Sequence, residues 1–301
     1  MAAIVGVVWL ALGLAGLGVY LNHYRLYRGF PPPHTPSGVA RGTVHDMHLW
    51  SPALREERAA MVYLPPGYDA AAARGVRFPV LYLLHGHPGR PVDIFRAGSL
   101  APFANVLIAE HRIRPMIIVA PWGRAHQRSE SDEWANGRYG DYEGFLLDVV
   151  RATDRRYATV ASRAGRVIGG LSEGAYGAAN IALRHLGLFK GFQSWSGYFR
   201  ETPTGAFAGA SPAKVEANSP AAYLPAMAPR IRRSGIDAYI YVGSADHHGL
   251  PLARQFEGEL AAAGAQVWSG VFPGGHDWGL WRAQLPHMLE VASGWFAGGG
   301  A

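Results

Sequence analysis

The chain has 301 residues, of which 49% are hydrophobic, 12% aromatic and 17% charged, a composition that excludes wholesale disorder and leaves room for one large α/β domain. Its formal charge of +6 suits an anionic surface, but Arg155, Arg156, Arg232 and Arg233 are typical of arginines scattered in ones and twos, so no nucleic-acid partner is expected. The absence of cysteine excludes disulfides, thiolate catalysis and cysteine-ligated zinc.

The first segment, AAIVGVVWLALGLAGLGVYL (Ala2 to Leu21), carries no charged or strongly polar residue. As a helix it would span roughly 30 Å, about one bilayer core. Residues 1–24 are therefore expected to be a membrane anchor. A buried surface-packed helix would keep a polar face. A cleaved signal peptide would carry its basic residues ahead of the apolar run, whereas Arg25 and Arg28 follow it. Those arginines favour retention of the rest of the chain on the cytoplasmic side. Residues 25–41, ending in a Pro- and Gly-rich stretch, read as a linker, and the folded domain is expected over 42–301.

The alternation in TVHDMHLW (43–50) and the run AAMVYLPPGY (59–68) predict an antiparallel pair at a sheet edge. FPVLYLLHGHPG (78–89) is an apolar strand ending in glycines, the mark of a strand buried on both faces. A helical stretch before Glu110, the strand PMIIVAP, a polar loop from Trp122 to Gly140, a helix from Tyr142 to Tyr157 and the strand AGRVIGG follow. Later strands are GFQSWSG, DAYIYVG and QVWSGVFPG, with helices after Leu250 and after His276. Strands alternating with helices imply a mainly parallel sheet covered on both faces, with ligands outside the carboxyl ends of its strands.

Gly170-Leu171-Ser172-Glu173-Gly174 matches G-x-S-x-G and falls between an apolar strand and a helical pattern. A sharp turn there would present the serine hydroxyl to a cleft. In a chain with 39 glycines the same string also arises as an ordinary turn with a serine cap. Partners separate the two readings, because a serine nucleophile needs a base and the base needs an orienting acid. His276, on a glycine-flanked loop after the last strand, is the candidate base, and Asp246, after the preceding strand, the candidate acid. The chain order Ser172, Asp246, His276 is that of an α/β-hydrolase. Asp237 opens its strand at the wrong end, Asp277 adjoins the base, and Glu257 is the reserve acid. Backbone N–H groups of Glu173 and of His87, in the loop after VLYLLHG, are the expected oxyanion donors.

The histidine pairs at 45/48, 85/87 and 247/248 lack metalloenzyme carboxylate spacing, so no metal or other cofactor is expected. Trp134, Trp195, Tyr198 and Trp278 are the candidate aromatic lining of a substrate pocket, with Glu130, Asn136 and Glu143 as further polar candidates.

The blocks MVYLPPGY, FPVLYLLHGHPG, GGLSEGAYGAANIALRHLGLF and GGHDWGLWRAQL resemble, in order, the esterase family that groups esterase D, enterochelin esterases, feruloyl esterase modules and the mycobacterial mycolyltransferases. The resemblance runs from about Gly42 to Trp295 and implies an α/β-hydrolase fold, Ser172 as nucleophile, His276 as base and Asp246 as acid. The mycolyltransferases, which GGHDWGLWRAQL is most like, use a glutamate as the acid. This chain departs from the family in having Glu173-Gly174-Ala175 where Met-Gly-Gly usually follows the serine. Glu173 would either favour a cationic acyl group or cap the helix terminus. By resemblance, an anchored member on the extracytoplasmic side of the envelope is expected. The function expected is serine ester hydrolysis of an envelope or lipid-linked ester. The alternatives are an acyltransferase with the same triad and a non-catalytic binding protein.

Overall fold

A computed structural model describes residues 2–123 and 131–296. In chain order the elements are α1 (Ala2–Tyr27), β1 (Thr43–Ser51), β2 (Glu56–Leu64), α2 (Tyr68–Ala73), β3 (Val80–Leu84), α3 (Pro91–Arg96), α4 (Leu100–Ala109) and β4 (Ile117–Pro121). Then come β5 (Asn136–Gly137), β6 (Gly140–Asp141), α5 (Tyr142–Arg156), β7 (Arg166–Leu171), α6 (Glu173–Arg184), β8 (Gly191–Trp195), α7 (Pro212–Glu216) and α8 (Pro220–Ser234). The chain closes with β9 (Asp237–Gly243), α9 (Gly249–Ala262), β10 (Gln266–Phe272) and α10 (Trp278–Trp295).

The main sheet has eight strands in the order β1-β2-β4-β3-β7-β8-β9-β10. β1 and β2 pair antiparallel, β2 meets β4 antiparallel, and all later pairings are parallel. Successive side chains of β3 point to opposite faces, so Val80, Tyr82 and Leu84 enter one apolar layer and Leu81 and Leu83 the other. The first layer is closed by α5, α6, α8 and α9 and the second by α4 and α10. Burial on both faces explains why β3 and β4, and β7 and β9 after their first residues Arg166 and Asp237, read as apolar runs. Each fully buried Val, Leu or Ile contributes roughly 1.5–3 kcal/mol.

Two elements differ from the sequence reading, one of them in two respects. α8 was not anticipated because Pro225 and Pro229 lie inside it and prolines read as helix breakers. α1 runs on to Tyr27, past the anchor boundary expected at residue 24. The transmembrane helix expected there is not found: among the described residues no helix is long and apolar enough to cross a membrane. Asn22, His23 and Arg25 occupy its last turns.

Candidate active site

Ser172 occupies the junction of β7 and α6 with φ 55° and ψ −120°, a sparsely populated conformation for a residue with a side chain. Three glycines make room for it. A Cβ on Gly170 would lie 2.3 Å from the Gly174 carbonyl oxygen, one on Gly174 would lie 2.3 Å from that of Leu84, and one on Gly86 would lie 2.9 Å from the Ser172 Cβ. The Ser172 N–H donates to the Trp195 carbonyl at 2.9 Å, tying the turn to β8. α6 then begins with Ala175 and Tyr176 donating back to the Ser172 carbonyl.

The Ser172 Oγ lies 2.9 Å from His276 Nε2, and His276 Nδ1 lies 3.0 Å from Asp246 Oδ2. A carboxylate only accepts, so Nδ1 carries the proton and Nε2 is left to accept from the serine hydroxyl. Asp246 is 8% exposed, and its second oxygen accepts from the Gly249 N–H at 2.8 Å. The His276 ring stands edge-on to Trp281 at 5.2 Å. The competing acids are occupied elsewhere: Asp237 pairs with Lys190, and Asp277 caps α10 by accepting from Gly279 and Leu280. Glu257 lies half-buried in α9.

The loop after β3 brings His87 beside the head of α6, with its Nδ1 3.9 Å from Glu173 Oε2. The first N–H groups of a helix have no partner within it, and at α6 these include Glu173. The Glu173 carboxyl is 5% exposed and accepts from the Glu133 N–H at 2.8 Å, so it turns into the 131–134 loop rather than capping its own helix. Burial, followed by the nearby charges of Asp132 and Glu133, pushes it well above the usual carboxylate range. Burial likewise pushes Asp132 up to about 7.

The four aromatic candidates divide. Trp134 is wholly buried, its indole N–H donating to the His85 carbonyl at 3.0 Å and its ring filling the space over Gly123 and Gly177. Trp195 is 2% exposed, stacked on Tyr241 and bonded to Gln193. Both are core. Trp278 is half-buried edge-on to Trp281. Tyr198 lines a pocket of about 320 Å³ together with Glu133, Glu201, His248, Phe256 and Glu259, a lining that includes no triad residue. It stacks on Tyr176 at 5.2 Å and donates to Glu133. Burial pushes Glu201 up to about 8. Glu143 instead ties α5 to α6 through Arg184 at 3.0 Å and His185 at 2.7 Å. Asn136 is exposed on β5, and Glu130 lies outside the described residues. Glu201, Phe256 and Glu259 escaped the sequence reading because only the meeting of the loop after β8 with α9 makes them neighbours.

The model of the esterase family, described as "Putative esterase", matches residues 51–291. An endo-1,4-beta-xylanase/feruloyl esterase of Xylanibacter ruminicola is 26% identical over 260 residues, covering 84% of this chain and 31% of that protein. The chain spans between 31% and 59% of the length of three curated relatives that it matches. Among solved structures, a ferulic acid esterase superposes with a TM-score of 0.76 at 25% identity, covering 85% of this chain and 100% of that one. An S-formylglutathione hydrolase from Agrobacterium tumefaciens superposes at 0.70 with 15% identity, over 89% and 100%, a likeness of fold. With the family model covering most of the chain and the fold in agreement, this protein belongs to the esterase family.

Proposed function

We propose that the protein is a serine esterase acting by a two-step acyl transfer. The observation that carries this reading is the continuous relay from Ser172 through His276 to Asp246, at 2.9 and 3.0 Å. His276 takes the hydroxyl proton as Ser172 attacks the ester carbonyl. Asp246 holds the imidazole in the required tautomer and steadies its positive charge. The oxyanion is received by the Glu173 N–H at the positive end of α6 and by the His87 N–H. Removing one such donor typically costs about 2.7–4 kcal/mol of transition-state stabilisation. His276 returns its proton to the leaving alcohol, and water repeats the sequence on the acyl-enzyme.

The feruloyl esterase relative and the ferulic acid esterase fold support an aryl carboxylic ester as the substrate class. Attachment to a membrane is a second part of this reading, with the ester lipid- or envelope-linked. Its support is the apolar stretch Ala2–Leu21 and the exposure of Trp9, Leu10, Leu12, Leu14 and Leu17 along α1. The domain is placed on the extracytoplasmic side, and a reporter fused after Ala301 that works only in the cytoplasm would overturn that placement.

The test of the chemistry is labelling of the full chain with a fluorophosphonate probe, followed by peptide mapping. One label per chain on Ser172, lost in His276→Ala, is expected. A folded chain that takes no label would refute the esterase reading.

A further inference from the structure

The pairing of β3 with β7 ends at Leu84 and Gly170, so the His85 carbonyl lies beyond that ladder and needs a partner from elsewhere. It accepts from the Trp134 indole N–H at 3.0 Å, and the two rings meet at 5.1 Å. Two residues on stands His87, inside a turn that the Gly89 N–H closes by donating to the Gly86 carbonyl at 2.7 Å. The residue before Trp134 reaches the other side of the site: the Glu133 N–H donates to Glu173 Oε1 at 2.8 Å. Trp134 also packs on α6 directly, since a Cβ on Gly177 would lie 2.5 Å from its own. One short turn thus grips both the loop that carries His87 and the helix head that carries Glu173. Its shape is fixed. Glu133 and Trp134 have φ of 54° and 48°, left-handed backbone at two bulky residues in succession, which persists only where the surroundings enforce it. The Trp134 N–H donates to Asp132 Oδ1 at 2.9 Å, and both Asp132 and the indole are buried.

We propose that the turn 132–134 is a strut that sets the spacing of the two oxyanion donors. Trp134 is the positioning residue for the loop that carries the His87 N–H, and the Glu173 carboxyl is the point by which the strut holds the head of α6. The inference rests on the acyl-transfer reading and gives the side chain after the nucleophile a task other than touching substrate. An oxyanion is stabilised only by donors held about 2.7–3.1 Å from the place where its charge develops. A displacement of about 1 Å costs up to about 10²-fold in rate. The donors belong to separate segments, one after β3 and one after β7, and the strut bonds to both.

The experiment is steady-state kinetics of the full chain on p-nitrophenyl acetate, with active sites counted by a fluorophosphonate, for wild type, Trp134→Phe, Glu173→Gln and Glu173→Ala. Trp134→Phe keeps an aromatic ring and removes the N–H, so kcat is expected to fall by about 10-fold or more with KM nearly unchanged. Glu173→Gln keeps an oxygen for the Glu133 N–H and Glu173→Ala does not, so the alanine variant should lose at least about fivefold more in kcat. If Trp134→Phe does not fold, the Glu173 pair decides alone. Inhibition by phenyl trifluoromethyl ketone reads the oxyanion itself. The Ser172 Oγ bonds to its carbonyl carbon, the proton passes to His276 and the carbonyl electron pair goes to the oxygen, with nothing released. Its inhibition constant should rise in Trp134→Phe by the factor that kcat/KM falls. A role confined to packing would lower the urea midpoint while kcat per counted site, KM and the inhibition constant keep their wild-type values. That result would overturn the proposal, as would equal losses in Glu173→Gln and Glu173→Ala. A Ser172→Ala chain that turns over like wild type would instead overturn the acyl-transfer reading, and the strut with it.

Discussion

His276 offers one ring nitrogen to Ser172 and the other to Asp246, so each partner should fail in its own way. Ser172→Ala removes the nucleophile and should lower kcat by at least about 10³-fold while far-ultraviolet dichroism stays unchanged. Asp246→Asn can donate to Nδ1 and so favours the wrong imidazole tautomer, and a loss of about 10⁴-fold in kcat with a nearly unchanged KM is expected from steady-state kinetics. Glu201 belongs to the pocket and reports on stability. Its carboxyl is pushed up to about 8 in the fold by burial and by Glu133, against about 4.3 in an unfolded chain. The folded form therefore binds a proton that the unfolded form has released, and its contribution is complete below the unfolded value and lost as pH rises through the folded one. The urea midpoint should fall between about pH 5 and about pH 9, and Glu201→Gln should flatten part of that slope.

At the scale of elements, the turn from β7 to α6 positions the nucleophile, and it is held by close backbone approach. Gly174 lies against the carbonyls of Leu84 and His85, with 2.3 and 2.7 Å to a Cβ built there. Backbone cannot rotate away as a side chain can, so Gly174→Ala must part α6 from β3. The expected cost is about 1–3 kcal/mol in urea unfolding, with a loss of probe labelling larger than stability alone explains. Gly187, after α6, has open space around its would-be Cβ and ordinary backbone, and Gly187→Ala should leave labelling unchanged. The strand and helix at this turn were legible from the sequence because apolar period and turn chemistry are local. The same local rules concealed α8, where tertiary packing of Leu224 and Ile231 overrides the internal prolines.

Over the whole molecule, the sheet gathers the loops after β3, β7, β8, β9 and β10 at one end, which is why residues as distant as Ser172, Asp246 and His276 meet. α1 meets the domain at its C-terminal end, just beyond which Arg28 lies 3.5 Å from Asp93, and it leaves Val5, Trp9, Leu10, Leu12, Leu14 and Leu17 exposed. If those side chains enter lipid, the full chain should sediment with membranes, resist extraction by concentrated salt and come off in detergent. Release by salt alone would show that the charge of +6 does the holding. The sequence by itself determined the alternation of strands and helices, the glycine-bounded serine turn and the chain order of the three polar residues, since each is written in periodicity or in neighbours. Only the tertiary structure decided that Trp134 and Trp195 are core, that Glu133, Glu201 and Glu259 share a pocket with Tyr198, and that the Glu173 carboxyl accepts from the Glu133 N–H. Those facts depend on which distant segments pack together, and strand order and loop convergence leave no local period to read.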